Sequence, residues 1–243
     1  MGPMVIGMDI GGTFIKAALV NRRGHILARL KRPTEASLGR IQIIDHIFST
    51  VRSLETNPLS RGRVSAVGIG VAGIIDFRQG VVSVSPNFPG WKNFPIQKML
   101  SQRIGPPIFI ENDANAAALG EKWMGAAKDA QDFCFITLGT GVGGGLVLGG
   151  EIWHGADGMA GEVGHMTIDP NGPRCGCGNR GCLEVYASAN ALQRMVLEAR
   201  AAGRTSRFFR NLKPSEINGE SIHRAAQKGD QISREVIARV GSA

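Results

Sequence analysis

The chain has 243 residues, 43% of them hydrophobic, which is enough for a buried core in one or two globular domains. Its formal net charge of +8 is uneven: residues 111–169 hold nine acids against two lysines, whereas the segment from Arg194 onward holds ten basic residues against five acids. Because these basic residues lie on helix-like faces and form no dense Lys/Arg block, the composition argues against nucleic acid as a partner.

The first part of the chain is predicted to alternate between strands and helices. Two strands joined by a glycine turn are expected over residues 5–20, and a third strand near residues 25–30. Helical spacing over residues 38–54 predicts a helix with one apolar stripe. The residues expected to form this stripe are Ile41, Ile44, Ile47, Phe48 and Val51.

Two further strands are predicted from short apolar runs, over residues 64–70 and 108–110. A loop rich in proline and glycine separates them, around residues 86–91. The second strand leads into Glu111-Asn-Asp113. An alanine-rich helix is expected directly afterwards, over residues 114–123.

A second strand–glycine–strand segment follows over residues 133–148 and resembles the first in layout. The 18 residues 133–150 carry no charge, but seven of them are glycine, which favours a turn between two strands over a membrane span. The repeated layout predicts two related α/β halves, with domains over residues 1–112 and 113–243. Helical segments are expected over most of the remainder.

The first glycine turn has a composition suited to phosphate binding. Gly11 and Gly12 lack a Cβ atom, so the backbone can approach a phosphate and direct N–H groups at it. Thr13 adds a hydroxyl donor, and Asp9 is a candidate ligand for Mg²⁺. An ordinary β-hairpin turn is the alternative, and Lys16 does not follow a glycine in the way that a Walker motif requires.

The second glycine turn has the same properties. It is formed by Gly139, Thr140 and Gly141 and lies between two predicted strands. Two such turns in one chain favour a pair of cradles for one polyphosphate. The alternative is a pair of unrelated tight turns.

The spacing of four residues predicts a metal site. His165 is followed by Cys175, Cys177 and Cys182, which together provide one imidazole and three thiolates, a complete tetrahedral shell for Zn²⁺. With no open ligand position, the zinc would be structural, and metal-bound thiolates suit a reducing, cytoplasmic compartment. Reduced, unliganded cysteines are the alternative. Cys134 lies apart in an apolar run and is expected to be a small buried residue.

The segment Glu111-Asn112-Asp113 follows a predicted strand and precedes a predicted helix. A carboxylate at that position is suited to point into a cleft. For Asp113 the alternative is a helix N-cap, and for Asn112 a turn residue.

Five motifs in this order resemble the ROK family, and the resemblance extends from Met4 nearly to the end of the chain. They occupy residues 9–16, 111–118, 138–145, 161–165 and 175–184. The resemblance implies an α/β, actin-like ATPase (ribonuclease-H-like) fold of two domains that close on ATP and a sugar. It implies ATP-dependent phosphorylation of a hexose at its primary hydroxyl, with glucose favoured by similarity to the glucokinase branch. Kinases of N-acetylmannosamine, fructose or several hexoses, and a non-catalytic sugar-binding regulator, are the alternatives.

The resemblance also implies roles for individual residues. Asp113 matches the catalytic base. The positions that match sugar contacts are Asn87, Asn112, Asp113, Glu162, His165 and Glu184. The positions that match the ATP and Mg²⁺ side are Asp9, Gly11, Gly12, Thr13, Lys16, Gly139, Thr140 and Gly141. His165 also matches a zinc ligand, together with Cys175, Cys177 and Cys182, so one imidazole would serve metal and sugar through its two nitrogens.

Three further expectations come from the family. Its repressors carry a helix-turn-helix domain before the first glycine motif, and the position of Asp9 near the start of this sequence predicts none here. Family members continue beyond the point where this sequence ends, so a C-terminal part is expected to be missing and ATP binding to be weakened. The family also predicts a homodimer, whereas the sequence indicates neither a signal peptide nor membrane association.

Overall fold

The computed structural model describes residues 2–60, 64–88 and 90–243. Its contacts divide the chain into two compact units. Unit 1 comprises Met1–Phe135 and Gly145–Gly161, and unit 2 comprises Ile136–Gly144 and Glu162–Ala243. The sequence predicts a boundary after residue 112 between two related halves. The division into compact units does not test that boundary, which stays a prediction.

Unit 1 contains the larger sheet and the helices that follow its strands. Its strands are β1 (Met4–Ile10), β2 (Phe14–Asn21), β3 (Ile26–Pro33), β4 (Val64–Val71), β5 (Ile74–Asp76), β6 (Val81–Val84), β7 (Lys92–Phe94) and β8 (Ile108–Asn112). Its helices are α1 (Arg40–Glu55), α2 (Ile96–Ser101) and α3 (Asp113–Met124). The strands and helices predicted for this part of the chain are confirmed, with ends shifted by a few residues.

Five strands form a mixed sheet in the order β3-β2-β1-β4-β8. The pairs β1–β4 and β4–β8 are parallel, and their register pairs Asp9 with Gly70 and Gly70 with Glu111. The carboxyl ends of β1, β4 and β8 therefore meet at one edge. In open α/β sheets ligands bind outside this edge.

Helix α1 packs on the sheet through a stripe that includes Ile44, Ile47 and Val51. The prediction that Ile41 belongs to this stripe is wrong, because its side chain is 57% exposed. At 3.6 residues per turn, Ile41 is rotated about 120° away from Ile47 around the helix. Ile43 occupies the buried position instead.

A small three-stranded sheet, β5-β6-β7, holds the loop between β6 and β7. Phe88, Trp91 and Phe94 are buried and in contact, with ring centroids 4.4 and 4.9 Å apart. These aromatic anchors fix the loop that carries Asn87. Pro89, within the same predicted loop, lies outside the described residues.

The remaining elements include a third sheet and the helices of unit 2. They are β9 (Phe133–Leu138), β10 (Val142–Leu148), β11 (Glu151–Ile152), α4 (Glu184–Ala187), α5 (Ala189–Ala201), α6 (Gly219–Gln227) and α7 (Gln231–Val240). The sheet order is β11-β10-β9, as expected for the second strand–glycine–strand segment. Helices α5, α6 and α7 of unit 2 pack around a core that includes Val196, Ile222 and Val236.

The prediction that Cys134 is buried is wrong, because it is exposed. Strand side chains alternate between two faces, and β9 turns Phe133 and Phe135 to the half-buried face and Cys134 with Ile136 to the other. In the part of the chain that the structure describes, no helix is both long enough and apolar enough to span a bilayer.

Candidate functional site

The first glycine turn connects β1 and β2 and is held by a buried threonine. The turn is closed by a hydrogen bond from the Gly11 N–H to the Phe14 carbonyl at 3.0 Å. Thr34, directly after β3, donates its N–H to the Thr13 carbonyl at 2.9 Å and its hydroxyl to the Gly11 carbonyl at 2.6 Å. Thr34 is completely buried. The sequence pattern gives no signal for this role, because it depends on the pairing of β2 with β3.

Polar side chains flank this turn. Lys16 and Asp9 are paired across β1 and β2, with Nζ 3.2 Å from Oδ2, and both are exposed. A Cβ atom at Gly12 would lie 3.5 Å from the Asn87 side chain. The structure therefore places Asp9, Lys16 and Asn87 around the turn that the sequence predicts to bind phosphate.

The junction between β8 and α3 is capped by Asn112. Its side-chain oxygen accepts hydrogen bonds from the N–H groups of Ala114 at 2.8 Å and Asn115 at 3.1 Å, and its amide nitrogen donates to the Gly73 carbonyl at 3.1 Å. The N-cap considered for Asp113 therefore belongs to its neighbour. Asp113 is the first residue of α3, and its Oδ1 shares the N–H of Ala114 with Asn112, at 3.0 Å.

Several groups act on the Asp113 carboxyl. Burial of the group among protein atoms raises the pKa of Asp113, the N–H of Ala114 opposes this shift, and the nearby charge of Asp9 adds to it. Asp113 is an exposed residue by its accessible surface, so water offsets part of the desolvation and the upward shift is small. A carboxyl group with a raised pKa at the end of a strand is suited to accept a proton.

Next to the junction, Glu111 makes a second set of contacts. Its Oε1 accepts hydrogen bonds from the N–H of Asn112 at 2.9 Å and the amide of Asn115 at 3.1 Å. Its Oε2 lies 2.7 Å from Nε2 of His154, whose ring stacks on Phe77 with centroids 3.9 Å apart. The sequence gives no signal for His154, which lies 43 positions away.

The second glycine turn, in unit 2, is supported by the start of α5 and by a carboxylate. The N–H of Ala189 donates to the Gly139 carbonyl at 2.9 Å. The N–H of Val142 donates to Oε2 of Glu184 at 3.1 Å. A Cβ atom at Gly141 would lie 2.2 Å from the same oxygen, so this position requires glycine while the carboxylate stays there.

The four predicted zinc ligands converge in unit 2. The ligand atoms of His165, Cys175, Cys177 and Cys182 all lie within 4.8 Å of one another. The Cys177 and Cys182 sulfurs are 3.7 Å apart, and Cys175 Sγ is 3.6 Å from His165 Nδ1. Two sulfurs on a tetrahedral zinc with bonds of about 2.3 Å are separated by about 3.8 Å. The donor set and its spacing fit Zn²⁺.

Zinc binding requires the three thiols to lose their protons, and among them the pKa of Cys177 is lowered by a hydrogen bond from the backbone of Asn179. Burial raises the pKa of Cys182 to about 12, and it also raises the pKa of Cys175. Without a cation these thiols stay protonated at neutral pH, because the site desolvates their charge. A divalent ion would supply the opposite charge that three thiolates need.

The two ring nitrogens of His165 face different neighbours. Nδ1 faces the sulfurs, whereas Nε2 lies 3.8 Å from Oε2 of Glu162. Both residues are on the short turn that runs into Val163–His165. A ring held at Nδ1 by a metal has a fixed orientation, and its Nε2–H is then a directed donor.

The predicted site residues fall into two sets. Unit 1 holds Asp9, Gly11, Gly12, Thr13, Lys16, Asn87, Asn112 and Asp113. Unit 2 holds Gly139, Thr140, Gly141, Glu162, His165, Cys175, Cys177, Cys182 and Glu184. The structure brings the members of the zinc cluster together as predicted and joins Glu184 to the second glycine turn, a contact that the sequence does not indicate.

Comparison with known proteins gives consistent results. The model of the ROK family matches residues 5–243. A glucokinase of Thermotoga maritima is 39% identical over 237 residues, which cover 97% of this chain and 74% of that protein. A putative xylose repressor of Caldicellulosiruptor is 33% identical over 240 residues, which cover 98% of this chain and 60% of that protein.

Solved structures show the same relationship. A ROK family glucokinase of Streptomyces griseus in complex with glucose and AMPPNP is 38% identical, with a TM-score of 0.82 over 98% of this chain and 75% of that chain. A ROK family transcriptional regulator, homologous to the Escherichia coli MLC protein, is 30% identical, with a TM-score of 0.84 over 99% of this chain and 60% of that chain. These likenesses confirm the predicted actin-like ATPase fold.

Proposed function

The chain belongs to the ROK family, and we propose that it transfers the γ-phosphoryl group of ATP to the primary hydroxyl of a hexose, with glucose favoured. One observation in unit 1 carries this proposal. The first glycine turn follows β1 and the carboxyl group of Asp113 follows β8, at the carboxyl ends of strands in one sheet. A base at the same sheet edge as a phosphate cradle is what phosphoryl transfer to a hydroxyl requires.

In this mechanism Asp113 accepts the proton of the sugar hydroxyl while the hydroxyl oxygen attacks the γ-phosphorus. The bond between that phosphorus and the bridging oxygen breaks, and ADP leaves. An alcohol is too weak an acid to ionise by itself, so the proton leaves as the new bond forms. General-base catalysis of this kind contributes about 10²–10⁴-fold. Alignment of the hydroxyl and stabilisation of phosphate charge supply most of the rest.

We assign the phosphates to the two glycine turns and to Lys16. Mg²⁺, with Asp9 as its proposed protein ligand, would neutralise charge on the phosphate oxygens. The backbone N–H groups of the turns would supply further donors without side-chain obstruction. The hydrogen bonds of Thr34 support this assignment for the first turn, because they fix its conformation before ATP binds.

Sugar recognition is assigned to the six polar side chains that match the family's sugar contacts. They are Asn87, Asn112, Asp113, Glu162, His165 and Glu184. The side-chain oxygen of Asn112 accepts from the start of α3, and one amide hydrogen donates to the Gly73 carbonyl. The other amide hydrogen can donate to a sugar hydroxyl. Polar groups committed in this way discriminate between stereoisomers, because a wrongly placed hydroxyl leaves them unpaired.

The test is a sugar panel with ATP, in which consumption of ATP is measured with glucose, mannose, fructose, N-acetylmannosamine and xylose. The proposal predicts turnover that depends on added sugar and the highest kcat/KM for glucose. Xylose in its pyranose form has no primary hydroxyl and should bind without being phosphorylated. Absence of sugar-dependent turnover with every hexose would reject the kinase proposal. A clear preference for N-acetylmannosamine or fructose would instead correct the substrate.

A second candidate function is sugar sensing without catalysis. The xylose repressor and the MLC homologue support it, since both align with 98% or more of this chain. The two functions differ in what the sugar does. In a sensor it changes binding to operator DNA, whereas in a kinase it is consumed. An operator-binding assay with and without sugar, beside the ATP assay, decides between them.

A further inference from the structure

Outside the residues assigned above, the carboxylate of Glu111 in unit 1 is held by several hydrogen bonds. It receives three donors: the N–H of Asn112, the amide of Asn115 and, at 2.7 Å, Nε2 of His154. The first two donors lie on either side of Asp113 in the sequence. The orientation of this carboxylate therefore constrains the backbone that carries Asp113.

The third donor comes from a different part of the fold and is itself held in place. The His154 side chain is 21% exposed, as is that of Glu111, and its ring stacks on Phe77 at an interplanar angle of 17°. The carbonyl of His154 accepts a hydrogen bond from the N–H of Ala160 at 3.2 Å. His154 is thus a fixed donor rather than a mobile surface side chain.

We propose that His154 is a positioning residue for Asp113 and acts through Glu111. This inference rests on the proposed function of Asp113 as the base. His154 anchors one oxygen of Glu111, so that the other oxygen stays on the N–H of Asn112 and on Asn115. Without His154, Oε2 of this mostly buried carboxylate loses its contact with Nε2 of the imidazole ring. The carboxylate then turns towards water and releases the segment around Asp113.

The effect should appear in turnover rather than in sugar binding. Reaction at phosphorus depends on the position of the base, and a misplacement of about 1 Å can cost about 10²-fold in rate. Sugar binding is shared among six side chains, only two of which lie on this segment. Loss of His154 therefore lowers kcat by about tenfold or more, with little change in KM for the sugar.

Two substitutions separate the donor of His154 from its stacking. His154→Gln keeps an N–H donor at a similar distance from the backbone and loses the ring, whereas His154→Phe keeps a ring against Phe77 and loses the donor. His25→Gln is the matched control, because His25 is an exposed histidine in the same unit. The thermal midpoint of each variant shows whether it is folded.

Two measurements are made on each folded variant. The first is kcat and KM with glucose and ATP. The second is hydrogen exchange of the Asn112 amide, whose N–H donates to Glu111. We expect His154→Phe to lower kcat and to speed this exchange at least tenfold, and His154→Gln and His25→Gln to stay near wild type.

The exchange measurement keeps the inference testable without catalysis. If the wild-type chain shows no sugar-dependent turnover, the kinase proposal fails, while exchange at Asn112 still decides whether His154 holds the segment. Equal kcat and equal exchange in His154→Phe and wild type would overturn the inference. So would equal losses in the Gln and Phe variants, because they would trace the effect to lost stacking instead of the lost donor.

Discussion

The carboxylate of Glu184 accepts a hydrogen bond from the backbone N–H of Val142 at 3.1 Å, which ties the segment after the zinc ligands to the second glycine turn. The other carboxylate oxygen lies 3.8 Å from Sγ of Cys175. Gly164, next to the zinc ligand His165, also packs on this strand, because a Cβ atom there would lie 2.0 Å from the Val142 carbonyl. Within unit 2, the segment that carries the four proposed zinc ligands is therefore packed directly against the second glycine turn.

This contact predicts the effect of a single methyl group. Gly141→Ala would place Cβ 2.2 Å from Oε2 of Glu184, and the carboxylate would have to move. Since Glu184 is a proposed sugar contact, glucose affinity without nucleotide should fall about 3- to 30-fold, equivalent to about 0.7–2 kcal/mol. Gly139→Ala is the control, because its Cβ would meet nothing within 4 Å. Calorimetric titration with glucose measures both, and equal affinities would contradict the proposed role of Glu184.

The zinc proposal predicts different outcomes for two cysteines. Cys177→Ser removes one of four clustered ligands and should lower both bound zinc and the thermal midpoint. Cys134→Ser changes an exposed cysteine in β9 and should leave both unchanged. Metal analysis of the purified variants, together with thermal unfolding before and after chelation, checks this. A wild-type protein that carries no zinc and does not respond to a chelator would refute the site.

Asp113→Asn tests the catalytic base directly. Asparagine retains an oxygen that can accept from the Ala114 N–H, but it cannot accept a proton from the sugar. Turnover should fall by about 10²–10⁴-fold while glucose affinity stays within a few fold of wild type. Steady-state kinetics and equilibrium binding on the same preparation separate the two effects. Near-normal turnover would assign the proton to another acceptor.

The same substitution predicts a change of stability with pH. Because burial raises the pKa of Asp113, its protonated form favours the folded state, and its charged form at neutral pH opposes it. Asp113→Asn should therefore be slightly more stable than wild type at pH 7. The difference should shrink as pH falls through the raised pKa of Asp113 and vanish below the ordinary aspartate range of about 3.9. Denaturant unfolding across this range measures it.

Asp230 provides the control of opposite sign. Burial of its carboxyl is outweighed by hydrogen bonds from Ser206 and Ser233, so the pKa of Asp230 lies below its usual value. Its charge stabilises the fold above the ordinary aspartate range, and this contribution is lost as pH falls through the lowered pKa. Asp230→Asn should destabilise the protein at pH 7, with a deficit that shrinks in acid. The same sign for both variants would contradict the assignment at Asp113.

Contacts between residues close together in the sequence can be predicted from it, whereas contacts between distant residues cannot. The zinc ligands lie within one short segment, so their spacing alone indicated their chemistry, and the structure brings them together. The contact of His154 with Glu111 spans 43 positions and depends on how β11 follows β10, which no local pattern encodes. The wrong prediction for Cys134 has another cause. Its apolar surroundings in the sequence predict burial, but the alternation of side chains along β9 decides which face the residue takes.

The sequence does not determine which residue caps the start of α3. Asn112 and Asp113 are adjacent, and both are residue types whose side-chain oxygen can cap a helix. The structure assigns the cap to Asn112, whose backbone is extended, with φ −61° and ψ 144°. That choice leaves the Asp113 carboxylate available for chemistry, so a shift of a single residue in the helix start changes the functional assignment.

The last prediction concerns Thr34, whose hydroxyl donates to the Gly11 carbonyl at 2.6 Å and whose N–H donates to the Thr13 carbonyl. Thr34→Val keeps the shape but loses the hydroxyl, and should destabilise the fold by about 0.5–1.5 kcal/mol. It should also weaken nucleotide binding, because the first glycine turn loses its side-chain anchor. Thr50→Val is the matched control: Thr50 is equally buried, but its hydroxyl bonds the His46 carbonyl within α1. Thermal unfolding and titration with AMPPNP should show similar stability losses and a selective affinity loss at Thr34. Equal affinities in the two variants would show that the turn keeps its conformation without the hydroxyl.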